Sequence, residues 1–279
     1  MRNMMTLLLA LVAFSFTAQA QMELPQPSPE AEMEQMVGLT EIEISYSSPG
    51  VKGREIFGGL VPYGKIWRTG ANKATALSFS RDVMIADTEI PAGEYSLFTI
   101  PGEDEWTIIL NSETELWGTG SYDEANDVVR FTATPEQHEE FVERFRILVE
   151  DFDNEKAHIA IEWADVVVTF PVMVHTKKQA YASIEETLSP SWQRYAQAAR
   201  YAWEQEGDLD NAGLWASESI AVESTWYNHW IMGEVLAEQG DTEAALEHMN
   251  MALKLGNEAE NFWYKSRVEE NIENWTAKK

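Results

Sequence analysis

Residues 90–111 of the chain read IPAGEYSLFTIPGEDEWTIILN, which places two turns and two apolar runs in close succession. Pro-Ala-Gly at 91–93 precedes the run at 95–100, and Pro-Gly-Glu-Asp at 101–104 precedes the run at 106–111. Proline and glycine in such clusters favour turns, and alternating apolar residues favour strands. The stretch therefore predicts an antiparallel β-hairpin.

The same alternation extends on both sides of this hairpin, from Leu39 to Val174. Ile42 and Ile44 alternate with polar neighbours, and Leu77 and Phe79 do the same. The pattern contains about nine short strands at hairpin-like spacing. It leaves no room for the crossover helices that a parallel sheet needs. We therefore predict an α+β protein of two domains, in which residues 38–178 form an antiparallel β-sandwich or a barrel-like sheet.

After residue 175 the hydrophobic period changes to 3.6, which predicts helices. The segment GDLDNA at 207–212 recurs as GDTEAA at 240–245, so glycine is expected to end one helix and aspartate to cap the next. This region resembles the tetratricopeptide repeat through small and apolar residues at Gly233, Gly240, Ala245, Met249 and Ala252. Arg200 departs from the motif, because a small residue is usual at its position. The resemblance implies an all-α, tetratricopeptide-like array of helical hairpins over residues 188–279.

The N-terminal segment has the composition of a processing signal. Arg2 precedes an apolar run at 7–16, and Ala18-Gln19-Ala20 fits the small-x-small cleavage rule, so residues 1–20 predict a signal peptide. Residues 21–37 are rich in proline and glutamate and indicate a linker. We expect an exported protein, periplasmic or secreted, with no membrane span after cleavage.

The bulk composition excludes several classes of function. The chain holds 47 acidic and 20 basic residues, for a formal charge of −27, and it has no cysteine. Such a surface repels nucleic acid and anionic membranes. The lack of cysteine excludes disulfides, thiolate metal sites and cysteine nucleophiles.

The segment from Gly50 to Arg81 differs from the rest of the chain. It carries six basic residues, one acidic residue and six of the 16 glycines. If the segment is extended, alternation places Tyr63, Lys65 and Trp67 on one face, with Arg68 on the other. The candidate ligand-binding residues are Arg54, Tyr63, Lys65, Trp67, Arg68, Asn72 and Trp106. A structural interpretation stays open, in which Arg54 and Arg68 bond backbone carbonyls and Trp67 plugs the end of the sandwich.

Three partial matches to known motifs fail on a required residue. Residues 59–65 fit the start of a phosphate-binding loop, but Ile66 stands where a hydroxyl must bind the metal. Val142 replaces the second histidine of the zinc-protease motif that starts at His138. Lys156 replaces the glycine of a calcium loop, so residues 151–155 predict a charged hairpin turn. No catalytic residue, metal site or cofactor is predicted.

Two blocks, SPGVKGREIFGGLVPYGKIWRTGANKAT and IPAGEYSLFTIPGEDEWTIILN, with the Trp117-Gly118 pair, resemble the exported bacterial proteins catalogued as domain of unknown function 2911. The resemblance covers about Leu39 to Val174. The hallmark positions all match, at Arg54, Gly58, Gly59, Pro62, Tyr63, Gly64, Trp67, Arg68, Gly70 and Asn72. The family has no established activity, so the resemblance implies no catalytic residue.

The first functional expectation is a non-catalytic exported protein. Its β domain would bind an anionic or carbohydrate ligand through the basic and aromatic loop, and its helical repeats would bind a protein partner. One alternative is a hydrolase acting on envelope or polysaccharide substrates, and another is a purely structural scaffold. Two carboxylates facing each other beside Trp67 or Trp106 would favour the hydrolase. A pocket of cations and aromatic rings alone would favour binding.

Overall fold

The computed structural model describes residues 24–187 and 191–277, so the predicted signal peptide lies outside the described residues. Strands fill the first part of the chain and helices the second, as predicted. The strands are β1 (Glu30–Val37), β2 (Thr40–Ser47), β3 (Thr75–Phe79), β4 (Val83–Ile85), β5 (Thr88–Ile90), β6 (Gly93–Ile100), β7 (Trp106–Asn111), β8 (Asp127–Ala133), β9 (Pro135–Glu150) and β10 (Lys156–Val174). The helices are α1 (Thr176–Thr187), α2 (Trp192–Glu204), α3 (Leu209–Val222), α4 (Trp226–Glu238), α5 (Thr242–Glu258) and α6 (Lys265–Thr276).

The strands form two antiparallel sheets that share one core. The larger sheet has the order β1-β2-β3-β6-β7-β8, and the smaller has the order β5-β4-β10-β9. Ile44 and Leu77 of the larger sheet and Ile159 and Ile161 of the smaller one are buried in the same cluster. The antiparallel sandwich is confirmed in an open form, because the sheets do not close into a barrel.

The hairpin predicted from residues 90–111 is present as β6 and β7, with Leu97 opposite Leu110 and Phe98 opposite Ile109. Both faces of this hairpin are covered. Leu97 and Leu110 face the shared core, whereas Phe98 and Ile109 pack with Leu116 in a second, smaller cluster. The segment after β7 therefore folds back over the outer face of the sheet.

Two boundaries differ from the sequence-based expectations. Part of the predicted linker, Glu30–Val37, is β1, which pairs with β2 along its whole length. Its alternating Glu, Met and Gln side chains have weak strand preference, so that cross-strand pairing rather than propensity decides its structure. In the sequence, alternation predicts separate strands over residues 158–163 and 166–174, but these two runs form the single strand β10. Ala164 has a φ of 55° and lies where the register shifts against β9, so the strand bends there without ending.

The helical region repeats its capping chemistry as predicted. Gly207 and Gly240 both have positive φ, at 62° and 89°. Asp208 then accepts a hydrogen bond from the backbone N–H of Asn211 at the start of α3, and Asp241 accepts one from Ala244 at the start of α5. The region begins earlier than the predicted residue 188, because α1 follows β10 directly. Few apolar residues mark α1 in the sequence.

The helices have a core of their own, separate from that of the sheets. Arg200, which departs from the repeat motif, lies over the rings of Trp230 and Tyr264, 5.9 Å from each ring centre. Those two rings are stacked at 4.2 Å, and Val268 of α6 is fully buried beside them. A cation–aromatic stack thus takes the place of small-residue packing. Within the described ranges, none of the helices is long and apolar enough to cross a membrane.

Candidate functional site

The loop between β2 and β3, residues 48–74, is irregular but tied to both sheets by backbone hydrogen bonds. Val51 donates to the carbonyl of Glu143 on β9 at 2.8 Å. Trp67 and Thr99 on β6 exchange two bonds of 2.7 and 2.9 Å. The loop therefore closes one end of the sandwich and holds its side chains in fixed places.

Trp67 anchors the loop in the core. Its ring stacks on that of Trp163 at 5.8 Å and meets Phe57, Trp106 and Phe145 edge-on. Trp67 is 7% exposed and Trp106 is 1% exposed. The plug expected from the structural interpretation is thus present. Trp106 belongs to the core and does not reach the surface.

A strained turn follows Arg68. Thr69 is fully buried and has a φ of 52°, which is rare for a β-branched residue, and Gly70 has a φ of 153°. The indole N–H of Trp67 donates to the carbonyl of Gly70 at 3.0 Å, and the hydroxyl of Thr75 donates to the backbone carbonyl of Thr69 at 2.5 Å. Strain of this kind persists where the surroundings fix the backbone, and it is frequent at functional sites. Here it fixes the position from which Arg68 projects.

Beside this turn lies a pocket of about 320 Å³, which we call the loop pocket. Three cations, two tryptophans and small or apolar residues line it, and the lining contains no carboxylate. The lining residues are Pro27, Ser28, Pro49, Gly50, Lys52, Arg54, Leu60, Val61, Trp67, Arg68, Gly70, Ala71 and Trp163. A lining whose described charged residues are all basic is unusual in a chain of charge −27.

The two arginines of the loop pocket have opposite surroundings. Arg54 donates to the backbone carbonyls of Val51 at 3.0 Å and Gly50 at 2.6 Å, which is a structural role. Arg68 is half-buried, and its Nε atom finds no acceptor among the described residues. None of the described carboxylates pairs with Arg68 either. Burial alone lowers the pKa of its guanidinium. The structural interpretation therefore fits Arg54 and fails for Arg68.

Trp163 supplies a second N–H without a partner. It is 1% exposed, and its Nε1 atom is enclosed but makes no hydrogen bond to any residue that the structure describes. Buried N–H groups in native proteins nearly always have an acceptor, so each exception calls for an explanation. Both unpartnered donors, Arg68 Nε and Trp163 Nε1, belong to residues that line the loop pocket.

The remaining candidates lie outside the loop pocket. Gly64 has a φ of 68°, so the segment from Tyr63 to Trp67 is turned rather than extended, and the predicted shared face does not form. Tyr63 packs on Gly58, and burial followed by the nearby charge of Glu103 raises the pKa of its phenol. Lys65 is exposed and does not line the pocket.

Asn72 serves the backbone of the loop. It has a φ of 59°, which asparagine tolerates better than most residues, and its amide donates to the hydroxyl of Ser47 at 3.2 Å. The structure thus brings together Arg54, Trp67 and Arg68 of the predicted set.

Sequence reasoning missed two members of the pocket, Lys52 and Trp163. Lys52 lies in the basic segment, and its charge was a usable signal. Trp163 comes from β10, far along the chain, and only the packing of the two sheets brings it to the loop.

The motifs rejected from the sequence have structural roles here. Asp153 accepts hydrogen bonds from the backbone N–H groups of Glu155 and Lys156, so the predicted hairpin turn is present. Glu162 pairs with Arg146 and with His138 on the outer face of the smaller sheet. Among the residues with described positions, no group of three or more His, Cys, Asp or Glu side chains could hold a metal ion.

Comparison with known proteins gives a family and no activity. No curated protein and no solved structure shows detectable similarity to the chain. Residues 28–172, more than half of the sequence, match the profile of a family described as a protein of unknown function, DUF2911. The match takes in nearly all of both sheets and every residue of the loop pocket except Pro27. The chain therefore belongs to the DUF2911 family.

Proposed function

We propose that this chain is an exported, non-catalytic binding protein whose loop pocket takes a small organic anion. The observation that carries the proposal is Arg68, a half-buried guanidinium that has no partner among the described residues. Burying a charge without a counterion costs free energy, and a bound carboxylate or phosphate group would repay that cost. The fork of a guanidinium fits either group with two parallel hydrogen bonds.

The rest of the lining supports an anion. Lys52 and Arg54 add positive charge, and the enclosed N–H of Trp163 adds a donor. None of the described residues that line the pocket is a carboxylate, so the electrostatic potential inside it is positive, opposite in sign to that of the acidic surface around it. Such a site would select its ligand by charge even though the whole chain repels anions.

The same lining disfavours a hydrolase at this place. Glycoside hydrolysis in most families needs two carboxyl groups flanking the scissile bond. Among the described residues that line the loop pocket, which Trp67 borders, the charged groups are all cations. Binding therefore fits the pocket better than polysaccharide hydrolysis does.

Isothermal titration of the chain with citrate, glucuronate and inorganic phosphate tests the proposal. We expect at least one of these anions to bind, and Arg68→Gln to weaken its binding by about tenfold or more, as for a charge-assisted hydrogen bond worth about 1.5–3 kcal/mol. The relative affinities for the three anions distinguish a site for carboxylates from a site for phosphate.

Lys65→Gln is the matched control, because Lys65 belongs to the same loop, is exposed and lies outside the pocket. It removes the same charge and should leave binding within about twofold of wild type. Equal weakening by both substitutions would mean that the anion responds to surface charge only. Equal weakening, or no binding of any probe, would overturn the proposal.

A further inference from the structure

A second concave site lies in the helical region, far along the chain from the loop pocket. It has a volume of about 580 Å³, within the range of about 300–1,000 Å³ typical of small-molecule sites. It lies between α2, the start of α4 and the connection from α5 to α6, and we call it the helical pocket. Five aromatic side chains line it, namely Trp192, Trp226, Tyr227, Trp263 and Tyr264.

The helical pocket carries no unpaired charge. Among the described residues, no aspartate, glutamate or lysine belongs to its lining, although the chain has 47 acidic residues. Its one cation, Arg200, is bonded to the carboxylate of Glu204 at 2.7 Å and to the hydroxyl of Tyr227 at 3.2 Å. An anion would find no free counterion there, and a cation would meet a guanidinium and no carboxylate. The pocket therefore suits an uncharged ligand.

Its polar groups include three side-chain amides. Gln193, Gln197 and Asn261 line the pocket and are exposed. The amides of Gln197 and Asn261 make no hydrogen bond within the described part of the chain, whereas Gln193 accepts one from Ser191. A primary amide both donates and accepts, so it matches a hydroxyl group, which does the same.

The aromatic walls combine a fixed part and an open part. Tyr264 stacks on Trp230 at 4.2 Å, and the guanidinium of Arg200 lies 5.9 Å from its ring centre. Trp226 packs beside Tyr264, with ring centres 6.2 Å apart. Trp263 meets Trp226 edge-on, yet 78% of it is exposed. A large ring left open to solvent beside an ordered aromatic wall is an available stacking surface.

We infer that the helical pocket binds an uncharged saccharide. A pyranose ring has an apolar face of C–H groups, which packs on an aromatic ring, and a rim of hydroxyl groups, which pairs with amides. Rings and amides are the two main components of this lining, and the volume admits a short oligosaccharide rather than a single ion. The site is independent of the anion proposed for the loop pocket.

Titration of the full chain with cellotriose, maltotriose and chitotriose, followed by calorimetry and tryptophan fluorescence, tests this inference. We expect one of them to bind and to change the fluorescence. Trp263→Ala should weaken that binding by about tenfold or more. Trp263 is exposed, so its loss should leave the helical fold intact.

Trp117→Ala is the matched control, because Trp117 is 75% exposed but lies on the β domain. It should leave saccharide binding unchanged, and so should Arg68→Gln, which separates this test from that of the loop pocket. Three results would overturn the inference: no trisaccharide binds, the two tryptophan variants bind equally, or choline or a proline-rich peptide binds through Trp263 while the trisaccharides do not.

Discussion

Replacing Arg68 with methionine is expected to stabilise the ligand-free protein, whereas the loss of an arginine that has hydrogen-bond partners usually destabilises a protein. Methionine keeps the apolar stem of the side chain and removes a guanidinium whose pKa burial lowers and which no described residue compensates. Full burial of an unpaired ion costs several kcal/mol, and the solvent that still reaches half-buried Arg68 reduces this to about 1 kcal/mol. The expected gain in melting temperature is about 2–4 °C.

Arg54→Met in the same pocket should have the opposite sign. Arg54 donates to two backbone carbonyls, and its loss leaves both without that partner. We expect a loss of about 1–2 kcal/mol in the free energy of unfolding. Both substitutions remove one positive charge from the loop pocket. The contrast in stability therefore depends on whether the arginine has hydrogen-bond partners.

Differential scanning calorimetry suits this comparison, since it can resolve separate transitions for the two cores. The measurements belong in a buffer without multivalent anions, because a bound anion would stabilise wild type and hide the gain. A decrease of 1 kcal/mol or more for Arg68→Met, or the same sign for both variants, would refute the reasoning and make Arg68 a structural residue.

Three further changes test other parts of the structure. Gly70→Ala places a Cβ 3.1 Å from the Thr75 hydroxyl at a φ of 153°, so we expect a loss of about 2–4 kcal/mol in urea unfolding, and wild-type stability would contradict the strained turn. Burial, and then the neighbouring His248, lowers the pKa of His229 from 6.5 to about 4. The stability that neutral His229 contributes to the folded state is therefore complete above pH 6.5 and is lost as the pH falls towards 4. Between pH 6.5 and 4, we expect the free energy of unfolding to fall by about 2 kcal/mol less in His229→Gln than in wild type. Equal slopes of this free energy against pH for the two proteins would contradict that expectation. Asp241→Ala should cost about 1 kcal/mol by uncapping α5, to be measured against Glu243→Ala, which leaves the cap in place.

Much of the fold could be predicted because local patterns and tertiary packing agree. The hairpin at residues 90–111 has turn residues where the chain turns, and the repeated Gly-Asp pairs end and cap helices by local chemistry. β1 could not be predicted in this way, because its Glu and Met side chains favour no strand until β2 pairs with them.

The site was predictable in composition but not in arrangement. The charge and glycine content of residues 50–81 mark a special loop, yet they do not distinguish Arg54, which bonds the backbone, from Arg68, which has no partner. Trp163 reaches the pocket from the other sheet, which no local pattern reports. Trp106 and Trp67 are indistinguishable as aromatic candidates in the sequence. Both are buried in the same core, and only Trp67 also lines the pocket.

Arg200 has a consequence for how the helical array could grow. Repeat arrays lengthen by duplication because each unit presents the same interface to its neighbour. Here the first unit contributes a guanidinium that rests on Trp230 from the second unit and on Tyr264 from the terminal segment. A copy of the second unit inserted before the terminal segment would keep the contact of Arg200 with Trp230 and separate it from Tyr264. The contact therefore favours a stack in which the terminal segment directly follows the second unit.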